Sequence, residues 1–163
     1  ISGLKGKSVF ADIKQISKKI KMDDNAQVMI DFANGAKGML WTSVMARGGV
    51  YGLRVRVFGT KGSLEWVQND PGYLRYNPAK GAVKLLERGF HNAEFSKNFS
   101  RIKFGHPEGY LDAFANIYKE FASSLKNKTK KRYFYPNEDE GFETAKFINA
   151  CKISSKRKKW VKI

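Results

Sequence analysis

The 163-residue chain is long enough to bury a hydrophobic core without disulfides, and its 42% hydrophobic and 13% aromatic content excludes a disordered chain. No apolar run reaches the roughly 20 residues that a membrane-spanning helix needs, which predicts a soluble protein. Cys151 is the only cysteine, which excludes an intrachain disulfide and a cysteine-based metal site. We expect its thiol to be buried, and the protein to be cytoplasmic.

The formal net charge of +16 is the most conspicuous feature of the composition. Clustered basic residues are typical of proteins that bind polyanions, because lysine and arginine release counterions from phosphate backbones. Here 23 of the 31 basic residues are lysine, and they lie in at least three separate segments. Specific nucleic-acid readers rely on arginine and align several side chains on one element. The sequence therefore favours a lysine-rich solvated surface, and we expect no specific nucleic-acid partner.

The first half of the chain predicts β-strands joined by short turns. Asn34-Gly35 predicts a type I′ hairpin turn, since that turn needs positive φ at both central residues. Gly59 and Gly62 frame a second tight turn. Such a series is typical of an antiparallel meander. The predicted strands are, in chain order, Val9–Ile16, Gln27–Ala33, Lys37–Met45, Tyr51–Phe58, Ser63–Gln68, Tyr73–Tyr76 and Ala82–Leu86.

The second half predicts two helices. Apolar residues recur at helical spacing along Glu108–Leu125, and Tyr110 begins a stripe that we expect to face the core. A second helix is predicted over Glu138–Ser154, and Trp160–Ile163 is predicted to add a last short strand. Strands followed by helices indicate an α+β fold, with an open, mainly antiparallel sheet and helices packed on one face. No linker divides the chain, so we expect residues 1–163 to form a single domain.

Complete catalytic motifs are absent from the sequence. No Gly-x-Gly-x-x-Gly segment occurs, so the loop that brings backbone amides against a dinucleotide pyrophosphate is missing. The two histidines, His91 and His106, are 15 residues apart and share no predicted helix face, which argues against a metal pair. No serine or cysteine nucleophile has a recognisable neighbouring base. We therefore expect no catalytic residue, no bound cofactor and no metal in this chain.

Three stretches carry a more informative pattern. The first is Val55–Trp66, a strand, a Gly-x-x-Gly turn and a second strand. The second is Arg101–Tyr110, which contains Gly-His-Pro-Glu-Gly-Tyr and leads into the first predicted helix. The third runs over Asp139–Val161. In this order, they resemble the C-terminal domain of the oxidoreductase family that includes glucose-fructose oxidoreductase and the inositol dehydrogenases (Gfo/Idh/MocA).

This resemblance implies a function shared between two domains. In such enzymes, an N-terminal Rossmann domain holds NAD or NADP and carries a catalytic lysine, and a paired Asp and His follow it. The C-terminal domain supplies an open sheet, one wall of the sugar pocket and commonly the oligomer interface. The resemblance implies that this chain is the substrate-side domain of an NAD(P)-dependent sugar or polyol dehydrogenase. We expect it to be catalytically incomplete, and inactive in isolation.

Two residues are candidates for substrate binding. His106 lies just before the first predicted helix, where its imidazole hydrogen-bonds a sugar hydroxyl, caps the helix or packs against Pro107. Arg101 either contacts substrate or lies on the surface. An alternative function stays open, a stand-alone oligomerisation or binding module without enzymatic activity. We expect a homo-oligomer formed through the exposed sheet face, with a separate Rossmann-domain half as a second candidate partner and no membrane partner.

Overall fold

The computed structural model describes residues 2–19, 21–49, 52–89, 97–103, 105–126 and 133–163. The chain divides into two compact units, of which the first combines Ile1–Gly49 with Pro136–Ile163 and the second is Val50–Tyr135. Each unit contains one four-stranded sheet and one long helix. The prediction that residues 1–163 form a single domain stays a prediction.

The first unit contains strands β1 (Gly6–Lys14), β2 (Asn25–Phe32), β3 (Lys37–Ser43) and β8 (Val161–Lys162), and helix α2 (Glu138–Arg157). The second contains β4 (Arg54–Gly59), β5 (Gly62–Val67), β6 (Tyr73–Pro78), β7 (Lys84–Glu87) and helix α1 (Tyr110–Lys126). All strand pairs formed by the described residues are antiparallel.

The sheet of the first unit has the strand order β3-β2-β1-β8, and helix α2 covers one of its faces. Side chains alternate between the two faces of a strand, so β1 and β2 each direct every second residue towards the helix. Burial raises the pKa of the Cys151 thiol, and confirms that this cysteine is a core residue. The buried core consists of Val9, Ala11, Val28, Ala150 and Cys151.

Two serines of helix α2 bond to the edge of β1 that β8 leaves uncovered. The Ser154 hydroxyl accepts a hydrogen bond from the Ala11 amide at 3.0 Å, and the Ser155 hydroxyl accepts one from the Ile13 amide at 2.9 Å. A buried backbone amide without a partner is costly. The serines therefore take the place of a neighbouring strand, and they join the helix to the sheet by polar as well as apolar contacts.

Helix α2 begins with a capping box. The Asn137 side chain accepts a hydrogen bond from the Glu140 amide at 2.9 Å, and the Glu140 carboxylate accepts one from the Asn137 amide at 3.2 Å. The helix ends at Arg157, where Lys158 adopts a left-handed conformation with φ 52°. The helix predicted over Glu138–Ser154 is confirmed, with one further turn.

The hairpin predicted at Asn34-Gly35 is confirmed, but its type I′ turn is wrong. Gly35 has φ 86°, whereas Asn34 does not adopt a positive φ. The Gly35 amide donates to the Phe32 carbonyl at 3.0 Å, and the Phe32 amide donates to the Ala36 carbonyl at 3.0 Å. Four residues, 33–36, connect β2 to β3, whereas a type I′ turn has two. In this longer connection, the positive φ of Gly35 alone is enough to reverse the chain.

The sheet of the second unit has the order β4-β5-β6-β7. Its first turn joins Gly59 to Gly62, as expected. Gly62 has φ 142°, and a Cβ atom added there would lie 2.3 Å from the Asn77 carbonyl oxygen. Strand β6 therefore passes so close to this turn that only glycine fits.

The α+β fold class is confirmed, and the predicted meander is divided between two antiparallel sheets, of which the first gains β8 from the end of the chain. The prediction that the first helix faces the core is wrong. No residue of α1 is buried, and Tyr110 is exposed. Among the described residues, no helix has the length and apolar character required to span a membrane.

Candidate functional site

The second unit contains a cleft of about 280 Å³. Three segments line it: the turn between β5 and β6, the end of β7, and the loop that leads into helix α1. The lining residues are Asp70, Pro71, Gly72, Tyr73, Glu87, Arg88, Gly105, His106, Pro107 and Glu108. The cleft thus includes most of the Gly-His-Pro-Glu-Gly-Tyr motif.

Arg88 is the central side chain of this cleft. Its guanidinium donates to the His106 carbonyl at 2.8 Å and to the Ile102 carbonyl at 3.1 Å, and it forms an ion pair with the Glu108 carboxylate. One side chain thus holds the loop at three points, and a planar guanidinium is suited to such contacts because its donors are fixed in direction.

Glu108 belongs to the same loop and is the acidic partner of Arg88. Its side chain is 6% exposed and that of Arg88 is 18% exposed. One carboxylate oxygen accepts a hydrogen bond from the Arg101 amide, and the other is buried against the guanidinium of Arg88. A carboxylate this deeply buried needs a compensating charge, so Arg88 and Glu108 depend on each other.

The turn between β5 and β6 is fixed by its own hydrogen bonds. The Trp66 indole donates to the Pro71 carbonyl at 3.2 Å. The Tyr73 amide donates to the Asp70 carbonyl at 3.3 Å, and the Arg88 amide donates to the Gly72 carbonyl at 2.8 Å. The turn between β5 and β6 is therefore attached to the backbone of Arg88. The loop that leads into helix α1 is attached to its side chain.

The charge of the cleft is opposite in sign to that of the whole chain. Three carboxylates line it, those of Asp70, Glu87 and Glu108, and Arg88 is the only lining cation when histidine is neutral. Arg88 compensates Glu108, and no ion pair joins Asp70 or Glu87 to a described residue. In a chain of net charge +16, this is a local region of negative charge. Such a region attracts hydroxyl donors, and it repels phosphates and carboxylates.

The two predicted substrate-binding residues have different positions. His106 lines the cleft, and its side chain is exposed. No hydrogen bond joins this side chain to the described residues of helix α1, and the Gly109 amide before the helix donates to the Asp112 carboxylate at 3.1 Å. The guanidinium of Arg101 points to helix α1, where it donates to Asn116 at 2.9 Å and to the Ala115 carbonyl at 3.0 Å. Substrate binding by both residues stays a prediction, and the geometry favours His106.

Sequence reasoning did not identify Arg88 and Glu108 as site residues. The predicted helix begins at Glu108, whereas helix α1 begins two residues later, at Tyr110, so that Glu108 belongs to the preceding loop. The Arg88–Glu108 contact joins residues 20 positions apart, and no local pattern predicts such a contact. The available signal was that Arg88 follows a predicted strand by two residues and Glu108 begins a predicted helix.

The described residues contain no Rossmann-type dinucleotide site. Every strand pair is antiparallel, so these residues form no parallel β-α-β unit whose helix N-terminus receives a pyrophosphate. Within the same ranges, no group of three or more His, Cys, Asp or Glu side chains is suited to hold a metal ion.

Comparison with known proteins gives a consistent assignment. Residues 5–163 match the model of an oxidoreductase family, described as its C-terminal alpha/beta domain. An uncharacterised oxidoreductase of Bacillus subtilis, YfiI, is 32% identical over 143 residues, which are 83% of this chain and 36% of that protein.

Two solved structures share the fold and part of the sequence. An oxidoreductase from Sinorhizobium meliloti is 42% identical with a TM-score of 0.92, over 98% of this chain and 47% of that one. An inositol dehydrogenase homolog from Azotobacter vinelandii, complexed with NADH and myo-inositol, is 27% identical with a TM-score of 0.90, over 100% of this chain and 45% of that one. The chain thus spans less than half the length of each of these relatives.

Proposed function

The chain belongs to the glucose-fructose oxidoreductase and inositol dehydrogenase family (Gfo/Idh/MocA), as its C-terminal α/β domain, and we propose that it forms the substrate side of an NAD(P)-dependent sugar or polyol dehydrogenase. One observation carries the proposal. The whole chain superimposes on less than half of an inositol dehydrogenase homolog that was solved with NADH and myo-inositol. We infer that the remaining half of such an enzyme binds the nucleotide.

The cleft beside Arg88 supports a neutral polyhydroxylated substrate. Carboxylates accept hydrogen bonds from hydroxyl groups, and an imidazole both donates and accepts. Asp70, Glu87 and His106 offer these groups around a cleft of about 280 Å³, just below the range of roughly 300–1,000 Å³ that is typical of small-molecule sites. The excess of carboxylates disfavours phosphorylated sugars and sugar acids, so the proposed substrate class is an unphosphorylated sugar or polyol.

The proposed role of this chain is to bind and orient the substrate. His106 would hydrogen-bond a substrate hydroxyl, and Arg88 would fix the loop that carries it. NAD or NADP, bound by the other half, would supply the hydride acceptor, and the chain alone is expected to be inactive. A cytoplasmic location completes the proposal, and it is supported by the single, buried cysteine.

The proposal is tested by titrating the isolated chain with myo-inositol, inositol phosphate and NADH. We expect the NMR signals of the His106 ring to shift with millimolar myo-inositol, and little or no response to the other two ligands. The variant His106→Ala should lose the binding. Lys103→Ala is the matched control, because Lys103 is exposed on the same loop but does not line the cleft. Equal responses to inositol and its phosphate would contradict the charge argument.

A stand-alone oligomerisation module is the second candidate, and the first sheet favours it. Helix α2 covers only one face of that sheet. The opposite face exposes the side chains of Met29, Met39 and Trp41, where Met29 and Met39 are paired across β2 and β3. Exposed apolar patches commonly mark interfaces, so we propose that copies of the chain associate through this face.

A further inference from the structure

Helix α1 bonds to the described residues of the segment 99–109, which we call the cleft loop. At one end of this loop, the Gly109 amide donates to the Asp112 carboxylate at 3.1 Å. Near its other end, the guanidinium of Arg101 donates to the Asn116 side chain at 2.9 Å. Residues four positions apart lie on the same side of a helix, so one side of α1 holds the loop at both ends.

Asn116 contacts the cleft loop through two atoms of opposite character. Its side-chain oxygen accepts the bond from Arg101, and its side-chain nitrogen donates to the Phe99 carbonyl at 2.6 Å. An asparagine amide offers a donor and an acceptor on one planar group, whereas aspartate only accepts and leucine does neither. The bond to Phe99 is partly buried, where a hydrogen bond is stronger than in water. Asn116 therefore fixes two points of the loop at once.

The cleft loop carries His106, and further contacts of the same loop fix its backbone. The His106 amide donates to the Lys103 carbonyl at 3.3 Å, and the His106 carbonyl accepts from Arg88 at 2.8 Å. The Arg101 amide donates to Glu108, which joins the part of the loop held by helix α1 to the residues around His106. The imidazole itself bonds to no described residue, so its position depends on the backbone of the loop.

We propose that Asn116 is a positioning residue of the polyol site, an inference that rests on the proposed function. It acts through the cleft loop, since its two bonding partners, Phe99 and Arg101, do not line the cleft. The same geometry gives Arg101 a positioning role in place of a contact with substrate, because its guanidinium is held by Asn116 and by the Ala115 carbonyl at 3.0 Å. Helix α1 thereby sets the direction in which His106 faces the cleft.

Replacing Asn116 tests this role, first without ligand and then with myo-inositol. Asn116→Leu removes both bonds, and it does not weaken helix α1 itself because leucine has the higher helix propensity. We expect the NMR signals of the His106 ring to move in the free protein, and the amides of Arg101 and His106 to exchange roughly 10-fold faster. The dissociation constant for myo-inositol should rise roughly 10-fold, as expected for the loss of about one hydrogen bond.

Two further variants separate positioning from stability. Lys119→Leu is the matched control, because Lys119 is exposed on the same helix, and it should leave the ring signals, the exchange and the affinity unchanged. Asn116→Asp retains the acceptor for Arg101 and lacks the donor for Phe99, so it should have intermediate effects, and it provides the test if Asn116→Leu does not fold. A residue that only stabilised the fold would lower the urea midpoint without moving the ring signals of the folded protein.

Two results would overturn the proposal. One is a folded Asn116→Leu protein, or Asn116→Asp where only this variant folds, whose His106 ring signals coincide with those of wild type. The other is a loss of affinity without any change in ring signals or loop exchange, because Asn116 would then contact the ligand itself. A wild type that binds no myo-inositol contradicts the proposed function, whereas moved ring signals in the ligand-free variant still support the positioning role, so the two failures are distinguishable.

Discussion

Replacing Arg88 by alanine tests the anchor of the cleft. The substitution leaves the Glu108 carboxylate buried, since its side chain is 6% exposed, and without its cation. Breaking a buried pair in this way costs about 3–5 kcal/mol. We expect the lower end, about 3 kcal/mol, because the Arg101 amide still donates to the carboxylate. That loss corresponds to a roughly 150-fold shift of the unfolding equilibrium.

Urea unfolding, followed by tryptophan fluorescence, measures this loss. Arg54→Ala is the matched control, because Arg54 pairs with Glu65 at 3.4 Å in the same unit, but with side chains that are 59% and 27% exposed. Such a surface pair contributes less than about 1 kcal/mol. The double variant Arg88→Ala with Glu108→Gln should recover part of the stability, since no uncompensated charge remains. The reasoning is refuted if Arg88→Ala is no more destabilising than Arg54→Ala.

Three further predictions concern the two sheets. Gly62→Ala should lower the free energy of unfolding in urea by more than about 1 kcal/mol, because the added Cβ meets the Asn77 carbonyl. Gly72→Ala is the control and should be milder, since no atom lies within 4 Å of the added Cβ. Hydrogen bonds from Lys158 and, to a smaller extent, Lys14 hold the pKa of Asp12 below its ordinary value. Wild type should therefore be more stable than Asp12→Asn at pH 7, and this difference should vanish as the pH falls from about 4 through the lowered pKa. A difference that does not depend on pH would contradict this. Trp41→Glu should convert the oligomer to a monomer in sedimentation velocity, and an already monomeric wild type would exclude self-association.

The elements that the sequence predicted correctly are those with local signals. The Asn34-Gly35 turn and the start of helix α2 depend on residues within four positions of each other, such as Asn137 and Glu140. The type I′ assignment failed because composition does not determine the φ of Asn34. Strand pairing also lies beyond local signals, since the sequence predicts a last short strand over Trp160–Ile163 but does not say that it pairs with β1.

The site was predicted only in part, for the same reason. His106 stood out by its motif and does line the cleft. Arg88 and Glu108 meet across a loop, and only the folded chain brings them together. The large apolar residues of helix α1 recur at helical spacing in the sequence. Such a pattern shows that one side of a helix is to be covered, but it does not show whether the cover comes from the same unit or from another part of the protein.

The most direct test of the proposed function is the dehydrogenase activity of a chimera in which this chain replaces the matched part of the Sinorhizobium meliloti oxidoreductase. Reduction of NAD⁺ or NADP⁺ is measured with a panel of neutral sugars and polyols and with their phosphates. We expect oxidation of at least one neutral member. His106→Ala should raise its KM at least 10-fold and change kcat by less than about 3-fold, as expected for lost substrate binding. A folded chimera that oxidises none of them, or one whose KM is unaffected by His106→Ala, would contradict the role assigned to this domain.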